Sequence, residues 1–409
     1  MIEIVGVDAA GPASLGAAER ALVADAEVVL GGRRHLDLLP PDPGQERIAW
    51  PSPLRPALPD LLGRLAGRRG VVLASGDPLV SGIGSTIVDL VGVDGVRIHP
   101  AASSVALARA RLGWSAEDSD VVTLVGRRHD RLRRHLAPRA RLIVLTHGED
   151  APARLAALLA EEGYGASTLT VFGDLGTDRE SRTSGTASDW TPRPAPSLHL
   201  VTLECRLDAG ASARSLAPGL PDDAFDNDGQ ISRRVVRAAA LAHLAPTPGD
   251  VLWDLGAGAG SVGIEFARQH PRNRVVAVER DPARAARIRA NAARLGVPDV
   301  TVVESPIADA LPTLPAPDAV FIGGGATASV IADAWAALPG GGRLVAHAVT
   351  VETEALLLDA HRVHGGHVTR IALDELEPIG RFHGWKPARA VTQWSATRPA
   401  TASTPGGTP

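Results

Sequence analysis

Ten residues, Val251 to Gly260 (VLWDLGAGAG), constrain this chain more than any other stretch. An apolar strand ends in Asp254, and Gly256, Gly258 and Gly260 then open an amphipathic helix, SVGIEFARQ. Glycine is needed where a backbone turns tightly and must approach a ligand without a Cβ in the way. Downstream, RVVAVER reads as a second strand with Glu279 near its end, about twenty residues past the turn, where an acid accepts hydrogen bonds from ribose hydroxyls. Alone, such a loop is weak evidence, since a tight strand-to-helix connection also uses glycines. Strand, helix and acid together indicate a ligand that carries a nucleoside.

The 409 residues are enough for two or three domains with full cores. With 42 basic and 46 acidic residues the net charge is −4, and aromatic residues make up only 3%. A general binder of nucleic acid or of a membrane surface needs a basic excess, and a base-stacking platform needs aromatics. Lys386 is the sole lysine, so nearly all positive charge is guanidinium, a group suited to carboxylate ligands. Cys205 is the sole cysteine, which excludes an intrachain disulfide and a cysteine metal cage. IEIVGV at the start reads as a strand, not a targeting segment, and no apolar run approaches the length of a membrane span. The expectation is a soluble cytoplasmic protein with no metal and no nucleic-acid or membrane partner.

Apolar strands alternate with helix-like segments in two α/β units. In the first, strands are predicted at 2–7, 27–30, 70–74, 96–99, 121–125, 141–146, 167–172 and 198–204, around a mostly parallel sheet. Residues 206–221, rich in Ala, Ser, Pro and Gly, read as a linker. A helical lead-in, DGQISRRVVRAAALAHL, precedes the glycine loop, and strands at 300–303, 319–322, 343–346, 369–373 and 390–394 complete a second sheet. The expected domains are 1–205 and 222–398, followed by a disordered tail over 399–409.

Three glycine-bearing loops follow strand ends in the first half: VGVDAAGP, ASGDPLVSGIG and HPAASSVALARARLG. Carboxyl ends of strands are where α/β sheets bind ligands. Asp77 is a candidate acceptor for a ligand amine or hydroxyl, but Gly-Asp-Pro is also a turn initiator, and Ser103 and Ser104 equally suit a helix cap. Taken together, LASGDPLVSGIG and PAASSVALARARLGW resemble the tetrapyrrole methylases of corrinoid and sirohaem synthesis. That resemblance implies a two-lobed α/β fold with S-adenosylmethionine in a cleft, contacted by Gly76, Asp77, Gly82, Ile83, Pro100, Ala101 and Ser104. The first loop departs from that family's GxGPG, reading GVDAAGP. Gly-Arg-Arg-His occurs twice, at 32–35 and 126–129. Arg33, Arg34, Arg127 and Arg128 are either solvated pairs or bidentate forks for substrate carboxylates.

In the second half, GxGxG with Asp254 two residues ahead is similar to the S-adenosylmethionine loop of Rossmann-like methyltransferases. PDDAFDNDGQISRRVVRA, AVERDPARAARIRANAARLGV, PDAVFIGGG and GGRLVAHAVTVETEALLL extend the likeness to the carbon-15 methyltransferase and decarboxylase of vitamin B12 synthesis. Nearly all of 1–398 thus resembles the fused carbon-5,15 methyltransferases (decarboxylating) of cobalamin synthesis. The resemblance implies one S-adenosylmethionine per domain and a homo-oligomer. It places Asp254, Gly256, Gly258 and Gly260 at the second cofactor loop, Glu279 on the ribose, Glu304 and Ile307 beside adenine, and Gln230 in a segment folded over the cofactor. Gly323, Gly324 and Gly325 border the substrate. The implied reaction is methylation of precorrin-6B (precorrin-6Y) at C5 by the first domain and at C15 by the second, with decarboxylation of the ring C acetate, giving precorrin-8.

Methyl transfer from a sulfonium depends on placement and exclusion of water more than on side-chain chemistry, and a conjugated macrocycle can accept the electrons left by decarboxylation. For a general acid or base the candidates are His347, Asp228 and Glu352, and His347 is equally a satisfied strand-end histidine. The alternatives are an RNA methyltransferase, disfavoured by charge and scarce aromatics, a protein methyltransferase, and a cofactor-binding regulator without catalysis.

Overall fold

Runs of valine, isoleucine and leucine form the first sheet: β1 (Ile2–Val7), β2 (Val28–Gly31), β3 (Glu46–Ala49), β4 (Gly70–Ser75) and β5 (Val96–His99). In this computed structural model, which describes residues 1–400, the five strands are all parallel, in the order β3-β2-β4-β1-β5. Residues 401–409, most of the expected tail, lie outside the described residues. Successive residues such as Val28, Val29 and Leu30 are all buried, as in a sheet covered on both faces. Because β1 lies between β4 and β5, the loops leaving these three strands emerge side by side.

A second sheet holds β6 (Asp120–Thr123), β7 (Arg141–Leu145), β8 (Thr168–Gly173), β9 (Ser181–Thr186) and β10 (His199–Glu204), in the order β6-β7-β10-β8-β9. Only β6 and β7 pair in parallel, and the other three pairings are antiparallel. This corrects the expectation of a mostly parallel sheet for the whole first half. The connection from β8 to β9 is too short for a helical crossover, so the chain returns antiparallel. β9, reading SRTSGT, is an edge strand with no large apolar residue, and hydrophobic periodicity cannot find it. Just beyond β10, the Cys205 N–H donates to the Ala140 carbonyl (2.8 Å) and its thiol is buried. Burial pushes that thiol up to about 12.

The third sheet comprises β11 (Val251–Leu255), β12 (Arg274–Val278), β13 (Thr301–Val303), β14 (Ala319–Ile322), β15 (Arg343–Ala348), β16 (His367–Ile371) and, after a hairpin of β17 (Asp374–Ile379) and β18 (Phe382–Pro387), β19 (Val391–Thr397). Its order is β13-β12-β11-β14-β15-β19-β16, with β19 antiparallel to both neighbours. The order reverses between β11 and β14, the kind of switch point where α/β sheets open a ligand crevice. After β12, Asp281 caps the helix Pro282–Arg294 by accepting from Ala283 and Arg284, with proline at the first helical position. β3, β9 and the β17–β18 hairpin were not expected from the sequence.

The predicted lead-in helix begins six residues late, at Arg234. Asn227 and Asp228 turn their side chains back onto the Gly229 and Gln230 N–H groups (3.0 and 3.2 Å), which competes with a helix. The chain divides into two compact units: Met1–Arg127 with Ala137–Ser212, and Arg128–Leu136 with everything from Ala213. That division falls within the predicted linker, whose ends are nevertheless anchored. Asp208 accepts from Gly165 and Ala166, and Glu265 accepts from Gly219 and Leu220. Among the described residues no helix is long and apolar enough to cross a membrane.

Candidate functional site

At the carboxyl edge of the first sheet, backbone packs directly on backbone. The Gly76 N–H donates to Val7 (2.8 Å), and its carbonyl accepts from Ala101 (3.3 Å). A Cβ on Gly6 would stand 2.0 Å from the Gly76 oxygen, so β1 tolerates no side chain there. Gly82 is equally constrained, 2.5 Å from the Pro78 carbonyl. The Asp77 carboxylate accepts from the Leu79 N–H (2.8 Å), which is the turn-forming role. Ile83 begins the helix Ile83–Val91 and packs against the first-sheet core. Ser103, not Ser104, caps the helix Ser104–Leu112, accepting from Ala106 (3.1 Å). Gly76, Asp77, Pro100, Ala101 and Ser104 therefore meet at one edge. Gly6, the first residue of the GVDAAGP loop, joins them, although sequence reasoning did not name it as a contact.

Arg33 and Arg34 open a short helix, Arg33–Asp37, just past β2 on that edge. The Arg34 Nη2 lies 2.6 Å from the Nε2 of buried His35, which also meets the Ser75 hydroxyl (3.2 Å). Burial, then the Arg34 charge, pushes His35 down to about 4, so its ring is neutral. Burial also lowers Arg34, against the nearby charges of Asp174 and Asp8. The second tetrapeptide is built differently: Arg127 lies in an exposed turn, and Arg128 pairs with Asp130 (2.7 Å).

In the second unit, Gly256, Gly258 and Gly260 all have positive φ (66°, 59° and 74°). A Cβ on Gly256 would stand 2.3 Å from the Gly324 oxygen, so the loops after β11 and β14 meet through bare backbone. Glu279 accepts from the Gly258 and Asp281 N–H groups (2.9 and 3.0 Å), and each oxygen keeps a further lone pair for a diol. Asp254 is buried; one oxygen accepts from Gly263 (2.9 Å) and the other has no partner among the described residues. Burial, and secondarily the Glu279 charge, raise it to about 7. An unpaired buried oxygen at the root of a glycine loop suits a ligand that brings a cation or an N–H.

The lead-in segment lies across this loop. The Gln230 carbonyl is 3.4 Å from where a Gly258 Cβ would be. Asp228 holds Arg284 (2.8 Å) and Arg287 (3.4 Å), and the Arg284 hydrogen bond keeps its carboxyl below the usual range. Fully buried Asn291, which sequence reasoning missed, bridges Asp226 to the Ala259 carbonyl (2.9 and 3.0 Å). Ile307 Cδ1 comes within 3.2 Å of a Gly325 Cβ position, while Gly323 faces the Gly256 carbonyl. Glu304 pairs at the surface with Arg289 (2.6 Å). His347 is buried, 3.0 Å from the Gln393 Oε1 and edge-on to Phe321, and burial lowers it to about 4. Glu352 stands exposed in the first turn of the helix Val351–His364.

A parallel sheet reversing at a glycine cradle, an acid on the neighbouring strand and an antiparallel last strand define the second unit as a Rossmann-like S-adenosylmethionine-dependent methyltransferase. Residues 1–190 match the Tetrapyrrole (Corrin/Porphyrin) Methylases, and residues 223–398 match the Precorrin methyltransferase domain. The chain is 44% identical over 398 residues to a precorrin-6Y C(5,15)-methyltransferase [decarboxylating] of Sinorhizobium sp, covering 97% of this chain and 96% of that one. It is 40% identical over 403 residues to the protein of the same name in Mycobacterium tuberculosis, covering 97% and 100%. A cobalt-precorrin-6B C(15)-methyltransferase (decarboxylating) of Salmonella typhi is 35% identical over 169 residues, covering 39% of this chain and 85% of that one. The chain belongs to the precorrin-6Y C(5,15)-methyltransferase (decarboxylating) family.

Proposed function

We propose that this chain methylates precorrin-6Y at C5 and C15 and decarboxylates its ring C acetate, giving precorrin-8, with one S-adenosylmethionine bound in each unit. The carrying observation is the pair of separate backbone cradles, one around Gly6, Gly76 and Ala101, the other around Gly256 and Gly324. The match of residues 223–398 to the Precorrin methyltransferase domain, together with the name of the shorter C(15)-specific Salmonella relative, supports giving C15 and the decarboxylation to the second unit. The RNA alternative gains no supporting observation.

When bound, S-adenosylmethionine supplies the methyl group. In the first unit Gly76, Asp77, Gly82, Ile83, Pro100, Ala101 and Ser104 hold it, and Arg33 and Arg34 face substrate carboxylates. In the second, the Gly256–Gly260 loop presents backbone, Glu279 takes the ribose hydroxyls, Asp254 takes a ligand donor, and Gly323–Gly325 border the macrocycle. Asp228 and Gln230 keep the lead-in segment over the loop, which excludes water. His347, neutral and bonded to Gln393, ties β15 to β19 instead of moving a proton.

Mass spectrometry of precorrin-6Y incubated with the chain and S-adenosylmethionine tests this. Two added methyl groups and one lost carbon dioxide are expected. Asp254→Ala should abolish methylation at C15 and leave C5 methylated; loss of both would sink independent sites. Equilibrium dialysis should find two S-adenosylmethionine molecules per chain, and a single one would refute a site in each unit.

A further inference from the structure

Methylation at C5 makes a proton demand that the cradle does not meet. C5 is a methine bridge bearing one hydrogen. As the new carbon–carbon bond forms and the sulfonium carbon–sulfur bond breaks, the C5–H electron pair returns to the conjugated macrocycle and its proton must leave. The balance requires one base and no oxidant or reductant.

Two carboxylates act on Arg34, Asp8 and Asp174, and Asp77 stands in the loop after β4; Asp8 and Asp77 are engaged. Asp8 accepts from the Ala10 N–H (2.9 Å) and the Ser14 hydroxyl (2.6 Å), and Asp77 from the Leu79 N–H (2.8 Å). The Asp174 carboxylate, directly after β8, accepts no hydrogen bond among the described residues. Its backbone is left-handed, φ +46°, an uncommon state for a residue with a Cβ and one that surrounding structure must impose. The Asp174 N–H donates to Leu198 (2.9 Å), and the Thr177 N–H and hydroxyl both return to the Asp174 carbonyl (3.1 and 2.8 Å). Glu180 then binds this loop to the helix Ser104–Leu112 by accepting twice from Arg111 (2.6 and 2.9 Å). Gly176 abuts Leu107 of the same helix, which starts at the Pro100–Ser104 cofactor segment. On its other side Asp174 acts electrostatically on Arg34, which His35 and Ser75 brace beside the Gly76–Asp77 loop.

A carboxylate that accepts no hydrogen bond among the described residues is thus held in a left-handed turn between the Pro100–Ser104 segment and Arg34. We propose that Asp174 is the general base that accepts the C5 proton during methylation by the first unit, later releasing it to water. This rests on the assignment of C5 methylation to that unit.

Asparagine tolerates a left-handed backbone much as aspartate does, and glycine more readily. Asp174→Asn and Asp174→Gly therefore keep the turn and remove the base. With precorrin-6Y and S-adenosylmethionine, both should methylate C5 about 100-fold more slowly or worse, with unchanged S-adenosylmethionine affinity in the first unit. Mixing Asp174→Asn with Asp254→Ala should restore the doubly methylated, decarboxylated product, since each chain then supplies one working unit. Parent-rate C5 methylation by either Asp174 variant overturns the proposal. So does weakened cofactor binding, or a mixture that stays inactive while Asp254→Ala alone still methylates C5. Failure of the unsubstituted chain to methylate C5 would instead refute the assignment beneath it.

Discussion

Asp254 and the buried histidines pull stability in opposite directions along the pH axis. Burial raises Asp254 to about 7, above an unfolded value of about 4. Between those values the folded state keeps a proton that the unfolded state has released, so stability falls as pH rises through the window. Asp254→Asn retains an acceptor for the Gly263 N–H and removes the buried charge. In thermal melting, the advantage of that variant's second unit over the parent should be small at pH 5 and grow by several degrees by pH 8. Identical behaviour at both pH values would show that ionised Asp254 carries no penalty. His35 and His347, both lowered to about 4 chiefly by burial, cost stability as pH falls from about 6.5 towards 4. His347→Gln can still donate to Gln393 and should flatten that acid-side loss for the second unit. An unchanged acid slope would remove His347 as its source.

At the scale of elements, the lead-in segment depends on a buried ion pair. Arg237, fully buried, donates to Glu265, Asp222 and the Ser232 and Leu220 carbonyls, and its guanidinium lies over Phe225 (4.7 Å). Glu265 in turn receives the Gly219 and Leu220 N–H groups. Arg237→Met leaves Glu265 buried without its counter-charge, which should cost about 3–5 kcal/mol in urea unfolding of the second unit. A loss below about 1 kcal/mol, as for an exposed pair, would show that Glu265 is resolvated. None of this network was legible beforehand, because partners 28 residues apart share no local pattern. The glycine loop was legible, because its constraint is local: three positive-φ positions between an apolar strand and a helix. Gly256→Ala should abolish cofactor binding in the second unit, since its Cβ would meet the Gly324 backbone at 2.3 Å. Retained binding would show that the β14 loop yields.

Across the whole molecule, the two α/β units and most core strands followed from alternation of apolar strands and helices. The mixed second sheet did not, because pairing direction depends on connections and partners that periodicity does not encode. The β17–β18 hairpin also escaped notice, since its apolar residues face solvent: Leu376, Ile379, Phe382 and Trp385 are 56%, 64%, 66% and 71% exposed. A lone two-stranded hairpin with such a surface is marginal in water, and a homo-oligomer, which the resemblance implies, would cover it. Light scattering should give a multiple of the 42.4 kDa chain mass, and Leu376→Ser with Trp385→Ser should lower it. A single-chain mass before substitution would refute the assembly. The buried Cys205 has one further consequence. A thiol raised to about 12 stays protonated at neutral pH and resists maleimides and mild oxidants. The natural chain therefore behaves as if cysteine-free, and a cysteine introduced at an exposed position such as Val235 becomes a unique labelling handle for spectroscopy in the otherwise unaltered protein.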